Sequence, residues 1–537
     1  MTVWNSSRIK NAILQRSKHA FSNRRWKRLN AEVAQAVTPD PDQPPLIFFN
    51  ASTRLEAVSQ NAAYSFLASK SLNLAGVPVI YFACLSGLQR CVLGSDRDDV
   101  DREPPCKCCI AQSRRLFDGT DVRWFADQAF PDLDAQLTGL DVETYETFEY
   151  QGVPLGRWAT NSLRWVLRRH HLANDDVTRV FYHYFIHSAW NVYTQFKTLV
   201  EETQPQAVVL FNGMFYPEAA ARFVCTQLGI RVITHEVGMR PFTAFFTPGE
   251  ATAYPIHISS SFQLDEEMNR RLDEYLAERV QGNFSMAGIR FWPEIQGLSD
   301  DFLQQAAPFE YIVPVFTNVI FDTSQVHANT LFPEMFAWLQ NVRSAIEKHP
   351  ETLFVIRAHP DEARAGKESR ESVAQWVQRT GIENLPNVIF VDSQEFISSY
   401  DLIQHSHFVM VYNSTIGLEA SIMGKPVLAG GKARFTQLST SFFPQDLEAY
   451  NQKLEEFLSA KTINVPDEFK ENARRFLYTQ LFVTSLPFDS FIEEDGVWKG
   501  YVRAKDFAVE ALTAEHSPTI KAICDGILHN GNFELVE

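Results

Sequence analysis

Short, continuous apolar runs recur along the chain, and longer segments with apolar residues at three- and four-residue spacing separate them. Runs that are apolar throughout are typical of parallel strands covered on both faces. The first half of the chain predicts strands at 46–50, 77–84, 207–212 and 231–236. The second half predicts strands at 311–316, 353–358, 388–392, 408–413 and 426–431.

The segments between the strands predict helices. The one at 217–229 has Pro217 near its first turn and Gly229 at its end, which is the usual placement of both residues. Further helices are predicted within 157–203, 264–280, 332–348, 445–458 and 466–483. Two successive series of strands and helices indicate an α/β protein with two Rossmann-like domains that face each other across a cleft.

This organisation predicts four regions. Residues 1–45 form a basic helical segment and a linker, and residues 46–290 form the first Rossmann-like domain, with a cysteine-bearing insertion at 85–150. Residues 291–485 form the second Rossmann-like domain, and residues 486–537 form a helical extension.

Length and composition limit the class of protein. A chain of 537 residues is too long for one ordinary domain. A net charge of -16 argues against nucleic acid as a partner of the body of the protein. Seven cysteines do not make a disulfide framework, and no apolar run is long enough to span a bilayer. We therefore expect a cytoplasmic protein.

The first thirty residues differ from the rest, because they carry eight basic residues and no acidic one. Ile9, Ile13, Leu14 and Phe21 can form an apolar stripe on a helix. Such a segment is attracted to an anionic membrane surface. We expect peripheral contact with the inner face of the cell membrane through residues 1–30, with a solvated tail or a helix packed on the acidic body as the alternative.

Polar residues follow the predicted strands of the second domain at the point where each strand ends. Ligands of doubly wound sheets bind at the carboxyl ends of the strands. Asn413 ends one strand, and Ser414 and Thr415 begin the next helix, where free N–H groups and two hydroxyls can bind an anion. Glu419 lies one turn further on and can accept hydrogen bonds from sugar hydroxyls. The alternative is that Ser414 or Thr415 only caps the helix.

His359 follows another buried strand, and Arg357 precedes it by two residues on the same face. An imidazole at a strand end can donate a hydrogen bond to a phosphate oxygen. Thr317, Asn318 and Asp322 follow the first strand of the second domain and are weaker candidates for residues that line the cleft.

A strand that ends in Arg-x-His-Pro, followed later by Asn-Ser-Thr-x-Gly-x-Glu-Ala and Gly-Lys-Pro-Val, resembles the capsule polysaccharide biosynthesis family of bacterial glycosyltransferases. That family includes enzymes that transfer Kdo from CMP-Kdo. The layout is also similar to that of CDP-glycerol glycerophosphotransferases and of some bacterial sialyltransferases. The resemblance covers residues 350–432 most firmly and 211–241 more loosely.

The resemblance implies a GT-B fold and a nucleotide-sugar donor, with a CMP-linked sugar such as CMP-Kdo as the first choice. It implies that His359, Ser414 and Thr415 hold the donor phosphate and that Glu419 binds the ribose. Relatives often carry Lys where this chain has Arg357, which keeps the charge and changes the geometry. The implied acceptor is a surface polysaccharide or glycolipid, and no cofactor is required.

A catalytic base is expected from the first domain, because the acceptor enters from that side. Glu236 follows a predicted strand and precedes a turn that points it into the cleft, with His235 and Glu218 as the next candidates and Asn212 beside them. Pairing of Glu236 with Arg240 is the structural alternative.

Five cysteines lie in or near the insertion. Cys106 and Cys109 have the spacing of zinc ligands, with Cys108 between them and Cys84 or Cys91 upstream. Because the second pair is stretched, buried free cysteines are the favoured interpretation and structural zinc is the alternative.

The main hypothesis is therefore a glycosyltransferase. The alternatives are a GT-B protein that has lost turnover and binds a glycan or serves as a scaffold, a UDP-sugar epimerase, and a CDP-glycerol-type phosphotransferase.

Overall fold

Two sheets of mainly parallel strands organise the computed structural model of the chain. It describes residues 22–536 except 52–54, 56, 281–296, 365, 367, 396 and 497–499. The α/β fold class expected from the apolar runs is confirmed, with one Rossmann-like sheet in each half of the chain.

The strands, in chain order, are β1 Leu46–Phe49, β2 Val58–Ser59, β3 Val79–Cys84, β4 Asp121–Phe125, β5 Ala207–Phe211, β6 Arg231–Val237, β7 Thr243–Thr247, β8 Tyr311–Phe316, β9 Thr352–Arg357, β10 Val388–Val391, β11 Val409–Val411, β12 Val427–Ala429, β13 Leu486–Pro487, β14 Ile492–Glu494 and β15 Tyr501–Ala504.

The helices are α1 at 22–36, then α2 Gln60–Leu74, α3 Cys106–Leu116, α4 Pro131–Leu137, α5 Val142–Glu146, α6 Leu155–Leu167, α7 Asp176–Thr203, α8 Tyr216–Leu228, α9 Glu266–Val280, α10 Asp300–Ala306, α11 Gln325–Ala328, α12 Met335–Lys348, α13 Val373–Thr380, α14 Ser399–Gln404, α15 Ile416–Ile422, α16 Leu447–Ser459, α17 Asp467–Tyr478 and α18 Pro518–Leu528.

The first sheet has the order β13-β7-β6-β5-β1-β3-β4. The strands from β6 to β4 are parallel, and β7 and β13 are added in antiparallel pairing. Successive side chains of β1 enter different cores, because side chains alternate between the faces of a strand. Leu46 and Phe48 belong to one cluster, and Ile47 and Phe49 belong to the other. Both faces are therefore covered, as the continuous apolar runs predict.

The second sheet is parallel throughout, with the order β10-β9-β8-β11-β12. Every residue of β9 is buried. Phe354 and Ile356 pack on one side and Leu353 and Val355 on the other. Burial of each such side chain contributes roughly 1.5–3 kcal/mol to folding. The carboxyl ends of β8, β9 and β11 are thereby fixed next to one another.

The insertion at 85–150 is more regular than its sequence predicts. It contains α3, α4 and α5, and its strand β4 pairs with β3 along the edge of the first sheet. The residues of β4 alternate between exposed and partly buried positions, which is typical of an edge strand with one wet face.

The prediction that residues 486–537 form a helical extension is wrong, because that region also contains strands. The chain forms β13, β14 and β15 there before the single long helix α18. β13 pairs with β7 of the first sheet, and β15 pairs with β14 and β2 in a separate three-stranded sheet. This region therefore packs on the first domain although it follows the second in sequence. Pairing partners that are so distant along the chain leave no local periodicity to detect.

The N-terminal basic segment is described only from residue 22 onward, and residues 1–21 lie outside the described part of the chain. Trp26, Leu29 and Val33 of α1 are buried in the first domain. Arg25 donates to Glu32 and to the carbonyl oxygen of Phe507. The helix therefore packs on the acidic body, which was the alternative to membrane contact for residues 22–30.

Among the described residues, no helix combines the length and the hydropathy that a membrane crossing needs.

Candidate functional site

A cleft of about 500 Å³ lies between the two sheets, and both halves of the chain line it. The first half contributes mainly the end of α6 and the segment after β7. The second half contributes residues from the carboxyl ends of β8, β9, β11 and β12. The charged and polar side chains of the cleft are Arg168, Glu250, Thr252, Asn318, Asp322, Ser324, His327, His359, Asp361, Arg364, Asn413, Ser414, Thr415, Lys432, Arg434 and Gln437.

Asn318 and Asn413 join the ends of two neighbouring strands. Nδ2 of Asn318 donates to Oδ1 of Asn413 over 2.7 Å. Because β8 and β11 are paired in parallel, the residues that follow them meet at one edge of the sheet. The structure thus brings together two of the predicted site residues that are far apart in sequence.

Ser414 and Thr415 also line the cleft, directly before α15. That helix has only seven residues. Any anion contact here is therefore assigned to the two hydroxyls and not to the helix dipole. No hydrogen bond caps the helix from the side chain of Thr415. The capping alternative therefore does not account for the Thr415 hydroxyl.

His359 lines the cleft at the end of β9. The backbone N–H of Asp361 donates to Nδ1 of His359 over 3.2 Å. A neutral imidazole that accepts at Nδ1 carries its proton on Nε2. Burial is the main cause that lowers the pKa of His359, and Arg357 acts in the same direction while Asp361 opposes it. The ring is thus a neutral hydrogen-bond donor at the wall of the cleft.

Arg357 does not line the cleft with His359. Its side chain shares the sheet face of Leu353 and Val355, and it is nine-tenths buried. Burial lowers the pKa of Arg357 to about 10, with Glu395 opposing the shift. The predicted shared face fails because the chain leaves the strand after Arg357, so the alternation of β9 does not continue to His359.

Glu419 is held away from the cleft by two partners. Its Oε1 lies 2.7 Å from Nη2 of Arg279, and Tyr400 donates a hydrogen bond to its Oε2. The carboxylate is 5% exposed. Oε1 is thus engaged in a buried ion pair and Oε2 in a hydrogen bond, and together these contacts join α15 to α9 and α14. The ribose contact implied by the resemblance does not fit this arrangement.

Glu236 ends β6 on the first-domain side and is not among the side chains that line the cleft. Oε2 accepts from Asn212, and Oε1 accepts from Asn61 and from the backbone N–H of Val237. Burial raises the pKa of Glu236, although these three hydrogen bonds oppose it. The sequence offered an ion pair between Glu236 and Arg240 as the alternative, and the structure instead shows two asparagines that donate to Glu236.

Glu218 and His235 are buried in the first domain and do not reach the cleft. Burial raises the pKa of Glu218 to about 8, and hydrogen bonds from the backbone of Ala51 and of Glu218 itself oppose the shift. His235 lies between the rings of Phe211 and Phe246. Within the described chain, neither of its ring nitrogens has a hydrogen-bond partner.

Thr317 is also turned away from the cleft, because its hydroxyl donates to the carbonyl oxygen of Arg357. Asp322 does line the cleft, and its Oδ1 accepts the backbone N–H of Thr323. Of the three weaker candidates in this loop, the structure therefore places Asn318 and Asp322 at the cleft.

Sequence reasoning missed most of the positive charge in the cleft. Lys432 and Arg434 follow β12, and the guanidinium of Arg434 lies 3.6 Å from the ring centroid of Tyr254. Applying the strand-end argument to the last predicted strand would have found both residues. Arg168 comes from the end of α6, where its guanidinium stacks 4.0 Å from the centroid of Trp165. No local pattern indicates that helix end.

Four cysteines in or next to the insertion line one small cavity: Cys84, Cys91, Cys106 and Cys109. Cys108, which the zinc alternative included, is exposed and lies outside that cavity. In the described residues, no group of three or more His, Cys, Asp or Glu side chains is arranged to hold a metal ion.

The two parallel sheets and the cleft between them define a GT-B architecture, the fold class expected from sequence. A family model described as "Capsule polysaccharide biosynthesis protein" matches residues 298–461, which is less than a third of the 537 residues. That segment includes His359, Asn413, Ser414 and Thr415. The resemblance to this family is confirmed over the matched segment.

Solved structures resemble the chain at low identity. KpsC from Thermosulfurimonas dismutans, a beta Kdo 2,4 transferase, is 13% identical over 52% of this chain and 80% of its own, with a TM-score of 0.34. Sucrose-phosphate synthase from Thermosynechococcus elongatus is 15% identical over 82% and 95%, with a TM-score of 0.28. UDP-GlcNAc 2-epimerase from Neisseria meningitidis is 12% identical over 81% and 98%, with a TM-score of 0.23. Likenesses of this degree carry no functional argument.

The comparison with curated proteins found no match.

Proposed function

We propose that this protein is a glycosyltransferase that moves a sugar from a nucleotide-activated donor to a glycan or glycolipid acceptor. The observation that carries the proposal is His359, which presents an Nε2–H at the wall of a cleft between two Rossmann-like sheets. The segment that matches the capsule polysaccharide biosynthesis family contains this histidine. Ligands bind at this edge of such sheets.

The donor phosphate lies at the carboxyl ends of β9 and β11 in this proposal. His359 donates a hydrogen bond from Nε2 to a phosphate oxygen, and the hydroxyls of Ser414 and Thr415 supply two more donors. Lys432 and Arg434 offset the charge that develops on the phosphate as it leaves. Fixed donors and cations aimed at a developing charge stabilise the transition state without reorganisation.

The charge of the cleft suits an anionic donor. Its lining carries four cationic side chains, Arg168, Arg364, Lys432 and Arg434, against three acidic ones, Glu250, Asp322 and Asp361. Asp361 lies 3.8 Å from Arg364, and this pair leaves three cations against two acids. The remaining positive charge attracts a phosphate-bearing ligand in a site partly shielded from water.

A CMP-linked sugar such as CMP-Kdo is the donor that we propose first, and a surface polysaccharide or glycolipid is the proposed acceptor. Both follow from the family that matches residues 298–461. That the reaction needs no cofactor also stays a prediction. Peripheral contact with an anionic membrane remains a proposal about residues 1–21, since the basic residues that follow pack on the body of the protein.

Calorimetric titration of the purified protein with CMP, CDP, UDP and GDP tests the proposal. Preferential binding of one nucleotide, followed by transfer from the matching donor sugar to an acceptor, supports it. Binding without transfer indicates a glycan-binding or scaffold protein. Conversion of a UDP-sugar to its epimer without an acceptor indicates an epimerase, and release of CMP from CDP-glycerol indicates a phosphotransferase. Negligible affinity for all four nucleotides contradicts the proposal.

Glu236 is retained as a candidate acid on the acceptor side, and Glu218 and His235 are not. Glu236 carries the raised pKa that suits a base. However, its two oxygens already accept three hydrogen bonds. Its role in the proposed reaction is therefore to hold Asn61 and Asn212, unless the acceptor replaces one of them.

A further inference from the structure

Three side chains in the cleft form a row of hydroxyl, imidazole and carboxylate that crosses from one half of the chain to the other. Oγ1 of Thr252 lies 2.8 Å from Nε2 of His327. Oε2 of Glu250 lies 3.3 Å from Nδ1 of the same ring. Glu250 and Thr252 follow β7 of the first sheet, and His327 belongs to α11 after β8 of the second.

All three side chains line the cleft. The His327 side chain is 19% exposed, so its ring is accessible from the cleft and yet largely shielded from bulk water. Glu236 is shielded from water but is not accessible from the cleft, because it is not part of the lining and its oxygens already accept hydrogen bonds. The geometry therefore offers a better-placed proton acceptor than the acid that sequence reasoning selected.

We infer that His327 is the general base that accepts the proton of the acceptor hydroxyl, and that Glu250 is the positioning residue that orients its ring. The inference rests on the proposed glycosyltransferase function and names a residue of that same cleft. In the bound state the acceptor hydroxyl takes the place of the Thr252 hydroxyl next to Nε2. Without an acceptor, the Thr252 hydroxyl occupies that position.

The acceptor oxygen forms a bond to the anomeric carbon of the donor, and its proton moves to Nε2 of His327. The bond between the anomeric carbon and the phosphate oxygen breaks, and the electron pair leaves with the phosphate. Glu250 stabilises the imidazolium that results, as a carboxylate does beside a catalytic histidine.

The surrounding charges keep the ring unprotonated before the step. Burial lowers the pKa of His327, and the cations Arg222, Lys432 and Arg434 lower it further. Glu250 is the group that opposes them. Arg222 also pairs with Glu250 over 2.9 Å, which holds the carboxylate in place. A base must be unprotonated at the working pH, and this set of neighbours provides that.

The alternative is that the row only joins the two halves of the chain. A joining contact would be weakened by Thr252→Val, which removes one contact of the ring, and more by His327→Gln, which removes both, and neither variant would lose the acidic limb of the pH–rate profile. A base would be lost only with His327→Gln. Comparing these two variants separates the two roles.

The test measures nucleotide affinity by calorimetry and sugar transfer over a pH series, in the full chain, for the wild type, His327→Gln, Thr252→Val and Glu250→Gln. His349→Gln is the matched control, because His349 also lies between two carboxylates, Glu351 at 3.0 Å and Glu455 at 3.2 Å, but stands outside the cleft. Thermal unfolding of each variant confirms that it is folded.

We expect His327→Gln to lower kcat by about 10²–10⁴-fold and to leave nucleotide affinity within about threefold, as loss of a general base does. The fall in rate at low pH, which comes from protonation of His327, should be absent in this variant. In Glu250→Gln that fall moves to lower pH, because the charge that raises the pKa of His327 is gone. Thr252→Val has a smaller effect on kcat than His327→Gln, and His349→Gln has none.

Transfer by His327→Gln at the wild-type rate overturns the inference and leaves the proposed function standing. Loss of transfer in His327→Gln and Thr252→Val with the acidic limb of the pH–rate profile kept in both overturns it in favour of a joining contact. A fall in nucleotide affinity that matches the fall in transfer overturns it in favour of a binding role. A wild-type protein that neither binds a nucleotide nor transfers a sugar removes the proposed function, and the inference with it.

Discussion

Two histidines near the carboxyl ends of strands show how the two halves of the molecule differ. His235 in β6 is fully enclosed between Phe211 and Phe246, and burial lowers its pKa to about 3. His359 after β9 is only partly buried, accepts one backbone hydrogen bond and lines the cleft. The same residue type at the same kind of position is core in one half and cleft wall in the other.

Other polar side chains near the strand ends show a similar difference. Glu236, near the end of β6, accepts hydrogen bonds from Asn61, Asn212 and Val237 and does not line the cleft. Asn318 and Asn413, which follow β8 and β11, are hydrogen-bonded to each other and do line the cleft. A position near a strand end therefore does not by itself mark a binding site, because the packing of the two halves decides which of these side chains reach the cleft.

The largest effect that we expect is on stability, from Glu419→Ala. This substitution removes the carboxylate that faces the buried guanidinium of Arg279. Breaking a buried ion pair from one side costs about 3–5 kcal/mol of the free energy of unfolding. Urea denaturation measures it, with Glu468→Ala on the exposed start of α17 as the control, expected to change stability by about 0.5 kcal/mol or less.

If Glu419→Ala has wild-type stability but binds its nucleotide more weakly, Glu419 belongs to the donor site and not to a structural ion pair.

The next effect is on turnover, from His359→Ala. Loss of one preorganised donor to a developing charge lowers kcat by about 10²–10³-fold. The melting temperature changes little, because the ring lies at the wall of the cleft. Steady-state kinetics and thermal unfolding measure both, with His405→Ala as the control, since His405 is exposed at the end of α14.

If His359→Ala melts several degrees lower and turns over normally while folded, the two histidines do not differ in the way described.

A third effect is a change in the pH dependence of stability, from His235→Phe. The pKa of His235 is about 3 in the folded protein and near its usual 6.5 when unfolded, so the unfolded chain binds more protons between these values. Wild-type stability therefore falls as pH falls from 6.5 towards 3. His235→Phe removes this contribution, which amounts to about 2 kcal/mol at pH 5 at 1.36 kcal/mol per pH unit.

The readout is the difference between the two slopes in urea denaturation from pH 7 to pH 4.5, which does not depend on how well the new ring packs. Parallel slopes would show that folding does not lower the pKa of His235.

The smallest effect is expected from Glu236→Gln. The amide keeps an acceptor for the N–H of Val237 and changes the pairing with the asparagines, at a cost of about 1 kcal/mol per hydrogen bond lost. Transfer should slow by about fivefold or less, which corresponds to the same free energy. A loss comparable to that of His359→Ala would make Glu236 a catalytic residue.

Much of the fold follows from local sequence. The strand predicted at 311–316 coincides with β8, and most others agree within one or two residues, because a buried parallel strand is apolar at every position. Six strands were missed, and β7, β13 and β15 are among them. Their pairing partners lie far along the chain or in an antiparallel addition, and short strands of that kind carry no periodicity of their own.

The site was predicted as far as strand ends define it. Asn318, His359, Asn413, Ser414 and Thr415 all line the cleft. Arg168 and His327 were missed because they come from helices, and only the packing of one half of the chain on the other brings them to the cleft. Glu419 was wrongly assigned to the donor site, because sequence spacing does not reveal that its carboxylate pairs with Arg279.

The central claim is that the cleft between the two sheets binds the nucleotide of a sugar donor. A crystal structure of the protein with CMP, or with whichever nucleotide binds best in the titration, tests it most directly. The account predicts a phosphate oxygen within hydrogen-bond distance of Nε2 of His359, with Ser414 or Thr415 as a second donor and Lys432 nearby. A nucleotide bound elsewhere, or one whose phosphate lies away from His359, would contradict it.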